Sequence, residues 1–377
     1  NGNNLHLKSS MQFISSLTVQ GTTNFNFIGT GSWTETGNGI LKNNFTINTS
    51  GTFTMVGSLL NYNTGTFKYI SGTVIATGST FTIAANTTLD TNGIIFNNVT
   101  FGGASQTYYL ASNLTTTGTV RLNGTGTPTL SGNTLFCRGN LSVTNGDTRG
   151  STQIVLNGTG TWSHTNAMFL RNDITINTTG TTTVSGVIYW CQGTLTYSAG
   201  TVITTGSTIN TGGIGGTFNT NGVIWNNFIF PNTIHTLLSP LNATGSMTLA
   251  SSGNITFKGP AGFTIGTFLC STAGRTIFLN TGNTYTVTNN MTTTATLAGV
   301  SYLQSIDLAN GTKAIFNLSP GATQDNGYFS AIDIDSSGGR SIWTYKGVLT
   351  RTINWNKMST NPKKHILSSN NRIIKHT

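Results

Sequence analysis

Asp333 and Asp335 are the pair of carboxylates in this sequence whose spacing could do acid–base chemistry. Two residues apart on an extended chain, they would share one face with side chains about 6 to 7 Å apart, within the range of a glycosidase pair. One would give a proton to the leaving oxygen and the other would act as base or nucleophile. The supply of other acids is thin: Glu35, Asp90, Asp147, Asp173, Asp307 and Asp325 complete the set. The same stretch also reads as a turn, because Gly338 and Gly339 follow closely, and this structural reading is the stronger one. For a calcium site two carboxylates fall short of the roughly six to eight oxygens that Ca²⁺ takes.

Other chemistries fare no better. His6, His164, His235, His365 and His376 sit in unrelated contexts, and no Gly-x-Ser-x-Gly elbow stands between a strand and a helix. His164 reads as a surface residue of a strand. No Gly-Lys-Ser or Gly-Lys-Thr closes the glycine-rich stretches, so they are not phosphate loops. Cys137, Cys191 and Cys270 form no metal-ligand spacing with the histidines and are expected to be buried as small hydrophobic side chains. Tyr108, Tyr109, Tyr189 and Trp190 could grip a sugar from the surface, but an aromatic stripe of this kind more often fills a core. No cofactor is expected.

The net charge of +10 is concentrated at one end. From Gly338 onward come Arg340, Lys346, Arg351, Lys357, Lys363, Lys364, Arg372 and Lys375 with no acid among them, eight of the eighteen Lys and Arg. A nearly neutral body with one basic end argues against a nucleic-acid groove along the molecule. The plain reading of the end is a solvated tail. The alternative is docking onto an acidic partner through Lys357, Lys363, Lys364, Arg372 and Lys375.

The elements that would position any such residues are strands. Charged residues make up 7 % of the chain, while Thr, Asn, Gly and Ser dominate. With Glu, Lys, Ala and Arg scarce and β-branched residues abundant, propensity points away from helix. The 47 glycines punctuate the chain at intervals typical of many short strands. No apolar run is long enough to span a membrane as a helix.

The chain also repeats itself. "TINTSGTFTMVG" (Thr46 to Gly57) returns as "TINTTGTTTVSG" (Thr175 to Gly186), each thirteen residues below a Trp, Trp33 and Trp162. At an offset of 128 to 129 the match runs from Trp33–Phe101 to Trp162–Phe230. A smaller phrase, Gly-Thr-apolar-x-apolar, recurs inside both copies, as in "GTFTMVG", "GTVRLNG" and "GTLTYSAG". Sandwich strands seldom resemble one another so closely, but the rungs of a solenoid do, since each offers the same inward face to its neighbour.

The expected fold is therefore all-β, a β-helix or β-solenoid rod with a distinct C-terminal capping segment. Its coils should take about 20 to 25 residues each. The expected divisions are a first unit over 1–140, a duplicated unit over 141–270, a cap segment over 271–356 and a basic tail over 357–377. Alternation in "STFTIAANTTLD" puts Phe81 and Ile83 inside and Thr80 and Thr82 outside. The matched pairs Asn97, Asn98 and Asn226, Asn227 are expected to stack their amides between rungs as a ladder.

Within "AIDIDSSGGRSIWTYKGVLTRTINWN", the residues Asp333, Asp335, Ser337, Gly338, Gly339, Asn354 and Trp355 form the phrase Asp-x-Asp-x-Ser-Gly-Gly followed by Asn-Trp. This phrase resembles a C-terminal signature of repetitive β-rich structural proteins of environmental tailed bacteriophages, and similar text occurs in bacterial surface proteins. The usual Ala after the second Asp is Ser336 here. The resemblance covers about a quarter of the chain. It implies a structural virion protein at the particle surface, a fibre, spike or capsid-attached appendage, without a cofactor; from the thin supply of catalytic residues, no enzymatic activity is expected. Its implied partners are other virion proteins, a host surface glycan or receptor and further copies of the chain, with a trimer as one form. A cell-surface or extracellular filament adhesin is the alternative reading, and a polysaccharide depolymerase the next.

Overall fold

The computed structural model describes residues 3–358 apart from positions 15, 58, 59, 221, 232, 252, 295–298, 308–311 and 346, and the backbone of 365–367 and 373–375. The described residues form strands and turns without a helix, as the composition implies. Among the described residues, no helix is long and apolar enough to cross a membrane. The chain divides into two compact units, Asn1–Ser185 with Ser198–Ile203, and Gly186–Tyr197 with Thr204–Thr377.

Both units are parallel β-solenoids. In the first, each strand pairs with strands about one coil away: Asn4 lies opposite Asn24, Phe45 opposite Phe67, Thr88 opposite Tyr109, and Leu110 opposite Gly132. In the second, Ile209 faces Phe228, Phe228 faces Met247, and Met247 faces Phe268. The period of about 19 to 22 residues sits at the short end of the expected coil. Among the described residues, the one antiparallel pairing of named strands joins His365–Leu367 to Ile373–Lys375.

Alternation decides which side chains enter the core. Phe81 and Ile83 are fully buried while Thr80 and Thr82 are half-buried on the other face. Inward positions stack coil upon coil: Phe45 on Phe67 at 5.7 Å between centroids, and Phe81 on Phe96 at 5.3 Å. Burying each such side chain contributes roughly 1.5 to 3 kcal/mol, repeated at every rung. Cys137, Cys191 and Cys270 are buried inside this core, as expected of small hydrophobic residues.

The duplicated phrase becomes a duplicated bend. Phe45–Val56 and Ile174–Ser185 are twelve-residue strands with the same order of buried and exposed positions. Each turns at a buried threonine. Thr49 Oγ1 donates to the Gly29 carbonyl at 2.7 Å and accepts from the Gly51 amide at 2.9 Å. Thr178 repeats this with Gly158 and Gly180. A β-carbon on Gly51 would lie 2.0 Å from Thr30 Oγ1, and on Gly180 2.1 Å from Thr159 Oγ1, so a side chain at either bend would have to push that hydroxyl aside.

Asparagine is used differently from expectation. Asn98 and Asn227 do not stack their amides on one another's kind. Asn98 Nδ2 donates to the Ser79 carbonyl and Oδ1 accepts from the Thr119 amide, a bracket between the coils on either side. Asn227 does the same with Ser207 and Ser246. The local reason is that Asn97 and Asn226 each occupy their neighbour's amide, through Asn98 Nδ2 to Asn97 Oδ1 and Asn227 Nδ2 to Asn226 Oδ1. A stacked amide ladder does exist elsewhere, running from Asn44 to Asn24 at 3.0 Å and from Asn24 to Asn4 at 3.1 Å.

From Ser271 onward the parallel pairing continues, Ile277 facing Leu303 and Leu303 facing Ala331. The coils end in a two-stranded parallel pair, Ile342–Tyr345 with Trp355–Met358.

Candidate functional site

Asp333 and Asp335 do not pair on one strand face; the stretch leads into the turn that Gly338 and Gly339 imply, the stronger of the two expectations. Asp333 occupies a corner with φ of 56° between the strands Phe329–Ile332 and Ile334–Asp335, which turns its side chain into the interior. There the carboxylate accepts two hydrogen bonds from the guanidinium of Arg351, which hold its pKa below the usual carboxylate range against the effect of burial. An ionised, acceptor-only carboxylate tied to a guanidinium has no proton to give a leaving group. Asp335 stays half-exposed and accepts from the Ser337 amide at 2.8 Å, an Asx turn leading into Gly338.

The rest of the signature closes the same coil. Asn354 Nδ2 donates to the carbonyls of Ser336 and Gly339. Trp355 Nε1 donates to Ser336 Oγ at 2.8 Å, and Ser336 Oγ donates to the Phe316 carbonyl. A β-carbon on Gly339 would stand 2.5 Å from the Leu318 carbonyl oxygen. Ser336, where the resemblance has Ala, is thus the hydroxyl that joins the closing Trp to the coil beneath. These residues are structural, and no three His, Cys, Asp or Glu side chains come together among the described residues.

Of the basic candidates, Lys357 is exposed on the last described strand of the coils. Lys363, Lys364 and Arg372 lie outside the described residues, and Lys375 falls in a strand described by its backbone alone. The aromatic candidates separate by alternation. Tyr108 and Trp190 are buried, Tyr109 is exposed and Tyr189 half-buried. His164 is half-buried rather than a plain surface residue: its Nε2 accepts from Trp162 Nε1 at 3.3 Å, and burial lowers its pKa to about 4.

The concave feature of the second unit was not legible in advance. Three neighbouring strands, Leu241–Leu249, Phe263–Cys270 and Thr284–Thr293, each break register at one place, near Ala243, Ile265 and Thr288. Glycine permits the break. A β-carbon on Gly245 would be 2.2 Å from Asn227 Oδ1, and one on Gly266 would be 2.1 Å from the Thr244 carbonyl oxygen. The bent strands enclose an open groove of about 480 Å³ lined by Ile224, Asn242, Thr244, Thr264, Thr288 and Asn289. Its volume lies in the range of small-ligand sites.

The lining groups differ in what they have left to offer. Thr244 Oγ1 and Thr288 Oγ1 donate to the Trp225 and Ile265 carbonyls of the preceding coil, which leaves their lone pairs outward. The side chains of Asn242, Thr264 and Asn289 make no hydrogen bond to another described residue. Ile224 is 58 % exposed at one end of the row. No ionisable side chain lines the groove.

The chain matches no protein-family model, no curated protein and no solved structure.

Proposed function

We propose that this chain is a structural and adhesive protein of a bacteriophage particle, a fibre, spike or capsid-attached appendage that works without catalysis. One observation carries the reading. The residues that the duplication copies are those that join coil to coil: the buried Trp33 and Trp162, the bend threonines Thr49 and Thr178, and the brackets Asn98 and Asn227. A solenoid grows by such pieces, because every added coil buries its faces on its neighbour and needs no new core. The C-terminal resemblance supports the virion setting. The engagement of Asp333 with Arg351 weighs against a depolymerase built on the aspartate pair. The basic end beginning at Lys357 is the part suited to dock on an acidic component of the particle.

The test is immunogold labelling with antibody against the purified chain, applied to cultures that carry its gene. Gold on particles is the expected outcome. Gold on cell envelopes or extracellular filaments would replace the phage reading with that of a surface adhesin.

A further inference from the structure

We infer that the groove of the second unit binds an uncharged glycan segment, with Asn242, Thr264 and Asn289 supplying its hydrogen bonds and Ile224 an apolar contact. The inference deepens the adhesive reading above and rests on it for the setting, though not for the chemistry.

Apart from the register breaks, the backbone groups of its strands are engaged in the parallel ladders, with Asn242 opposite Thr264 and Thr264 opposite Thr286. An extended peptide would find no free strand edge here to pair with, which disfavours recognition by strand addition. What projects instead are amides and hydroxyls, groups that both donate and accept. A sugar ring carries matching chemistry, since each of its hydroxyls also does both. The rings also have C–H faces that can lie on an exposed aliphatic side chain such as Ile224. The absence of an ionisable lining residue excludes the countercharge that a uronate, sialate or phosphate would need. The lining repeats from coil to coil at about 4.8 Å, so a linear occupant meets similar groups along its length.

The duplication supplies an internal comparison. In the first unit the equivalent row across the coils is Ile95, Thr115, Phe136 and Val155, placed by the pairings of Ile95 with Thr115, Thr115 with Phe136 and Phe136 with Val155. In the second it is Ile224, Asn242, Thr264 and Thr286. The supporting glycines are the same: a β-carbon on Gly118 would meet Asn98 Oδ1 at 2.3 Å, and one on Gly139 the Gly118 carbonyl oxygen at 2.2 Å. Similar supports thus carry a polar row in one copy and a largely apolar row in the other. The polar row is a property of its side chains, not a by-product of the coil geometry.

The experiment titrates the purified full chain with neutral oligomers of glucose, mannose, galactose and N-acetylglucosamine, and with uronate oligomers, by saturation-transfer NMR and calorimetry. Binding of at least one neutral oligomer is expected, with no binding of the uronates. Thr264→Phe places the first copy's residue in the groove and should weaken that binding at least about tenfold by steric block. Asn242→Ala with Asn289→Ala should weaken it without filling the groove. Phe136→Thr, in the other copy, should leave it unchanged. Far-ultraviolet circular dichroism and thermal melts of each variant keep loss of fold apart from loss of binding. No binding of any neutral oligomer, equal binding of uronates, or a Thr264→Phe protein that folds and binds as before would each overturn the inference. The two readings part on host cells. If the wild-type chain adheres and Thr264→Phe adheres equally well, the groove assignment falls and adhesion stands. If it binds neutral oligomers but coats neither particles nor cells, the groove assignment stands and the adhesive reading falls.

Discussion

Two rows of side chains, Ile95–Thr115–Phe136–Val155 in the first unit and Ile224–Asn242–Thr264–Thr286 in the second, rest on glycines and asparagines of the same kind at matching places. What differs is chemistry at outward positions, where a parallel ladder tolerates either a phenyl ring or a hydroxyl. What is shared lies beneath, at contacts too close for any side chain. A second difference sits in the interior: Tyr108 in "TYYL" takes the place that His235 takes in "TIHTL", and each is buried with no hydrogen-bond partner for its polar atoms among the described residues. Copying therefore preserves the joinery of the coil and leaves both its outer face and one inner position free to diverge.

The comparison is broken most directly at the shared glycines. Gly139→Ala and Gly266→Ala each force a β-carbon to within about 2 Å of a backbone oxygen that cannot swing away. A loss of about 3 kcal/mol is expected for each. Urea unfolding of the two variants should give matching shifts in midpoint. A large loss at one and none at the other would mean that the two corners are not equivalent.

The interior difference should appear as acid sensitivity. Burial among Phe218, Phe230 and Phe257 lowers the His235 pKa from 6.5 to about 3. Between those values the unfolded chain binds a proton that the folded one refuses, so stability falls as pH drops from 6.5 toward 3. At pH 5 the loss is on the order of 2 kcal/mol. His235→Phe should remove that share of the pH dependence, read as a smaller difference between melts at pH 7 and pH 5. Tyr108, whose pKa burial raises, stays neutral throughout this window and contributes no such slope.

The asparagine brackets sharpen the shared part. Asn98→Ala leaves the Thr119 amide without its acceptor, and Asn227→Ala does the same to the Ser246 amide. Each should cost about 1.5 kcal/mol. Amide hydrogen exchange at Thr119 and Ser246 is the measurement, and faster exchange at one site only would show that the copied residue has kept its role in one copy and lost it in the other.

Much of this architecture is readable from the residues. Alternation around Phe81 and Ile83 gives the inward face, and the recurring Gly-Thr phrases give the stacked coils. The spacing of twenty among Asn4, Asn24 and Asn44 states both the coil period and the amide ladder. The groove was not readable. Asn242, Thr264 and Asn289 are separated by more than twenty residues each, and only the register across coils, set by where Gly245 and Gly266 bend their strands, brings them to one surface. Asp333 and Asp335 do not share a face for a related reason. Period-two logic holds along an unbroken strand, whereas this chain turns a corner at Asp333 itself.

The smallest effect carries the most information about the outer face. Thr264→Phe alters an exposed position whose equivalent in the first copy is already Phe136, half-buried between Thr115 and Val155. The new ring would lie against Asn242 and Thr286, losing some hydration of their polar groups and gaining some contact with their aliphatic atoms. The two terms oppose one another, and a stability change within about 0.5 kcal/mol is expected. Phe136→Thr should be similarly small in the other direction, because the ring covers its neighbours without entering the core. A loss of several kcal/mol at Thr264→Phe would show that the hydroxyl supports the bend, making the outer row part of the joinery and the contrast between the two copies one of folding rather than of recognition.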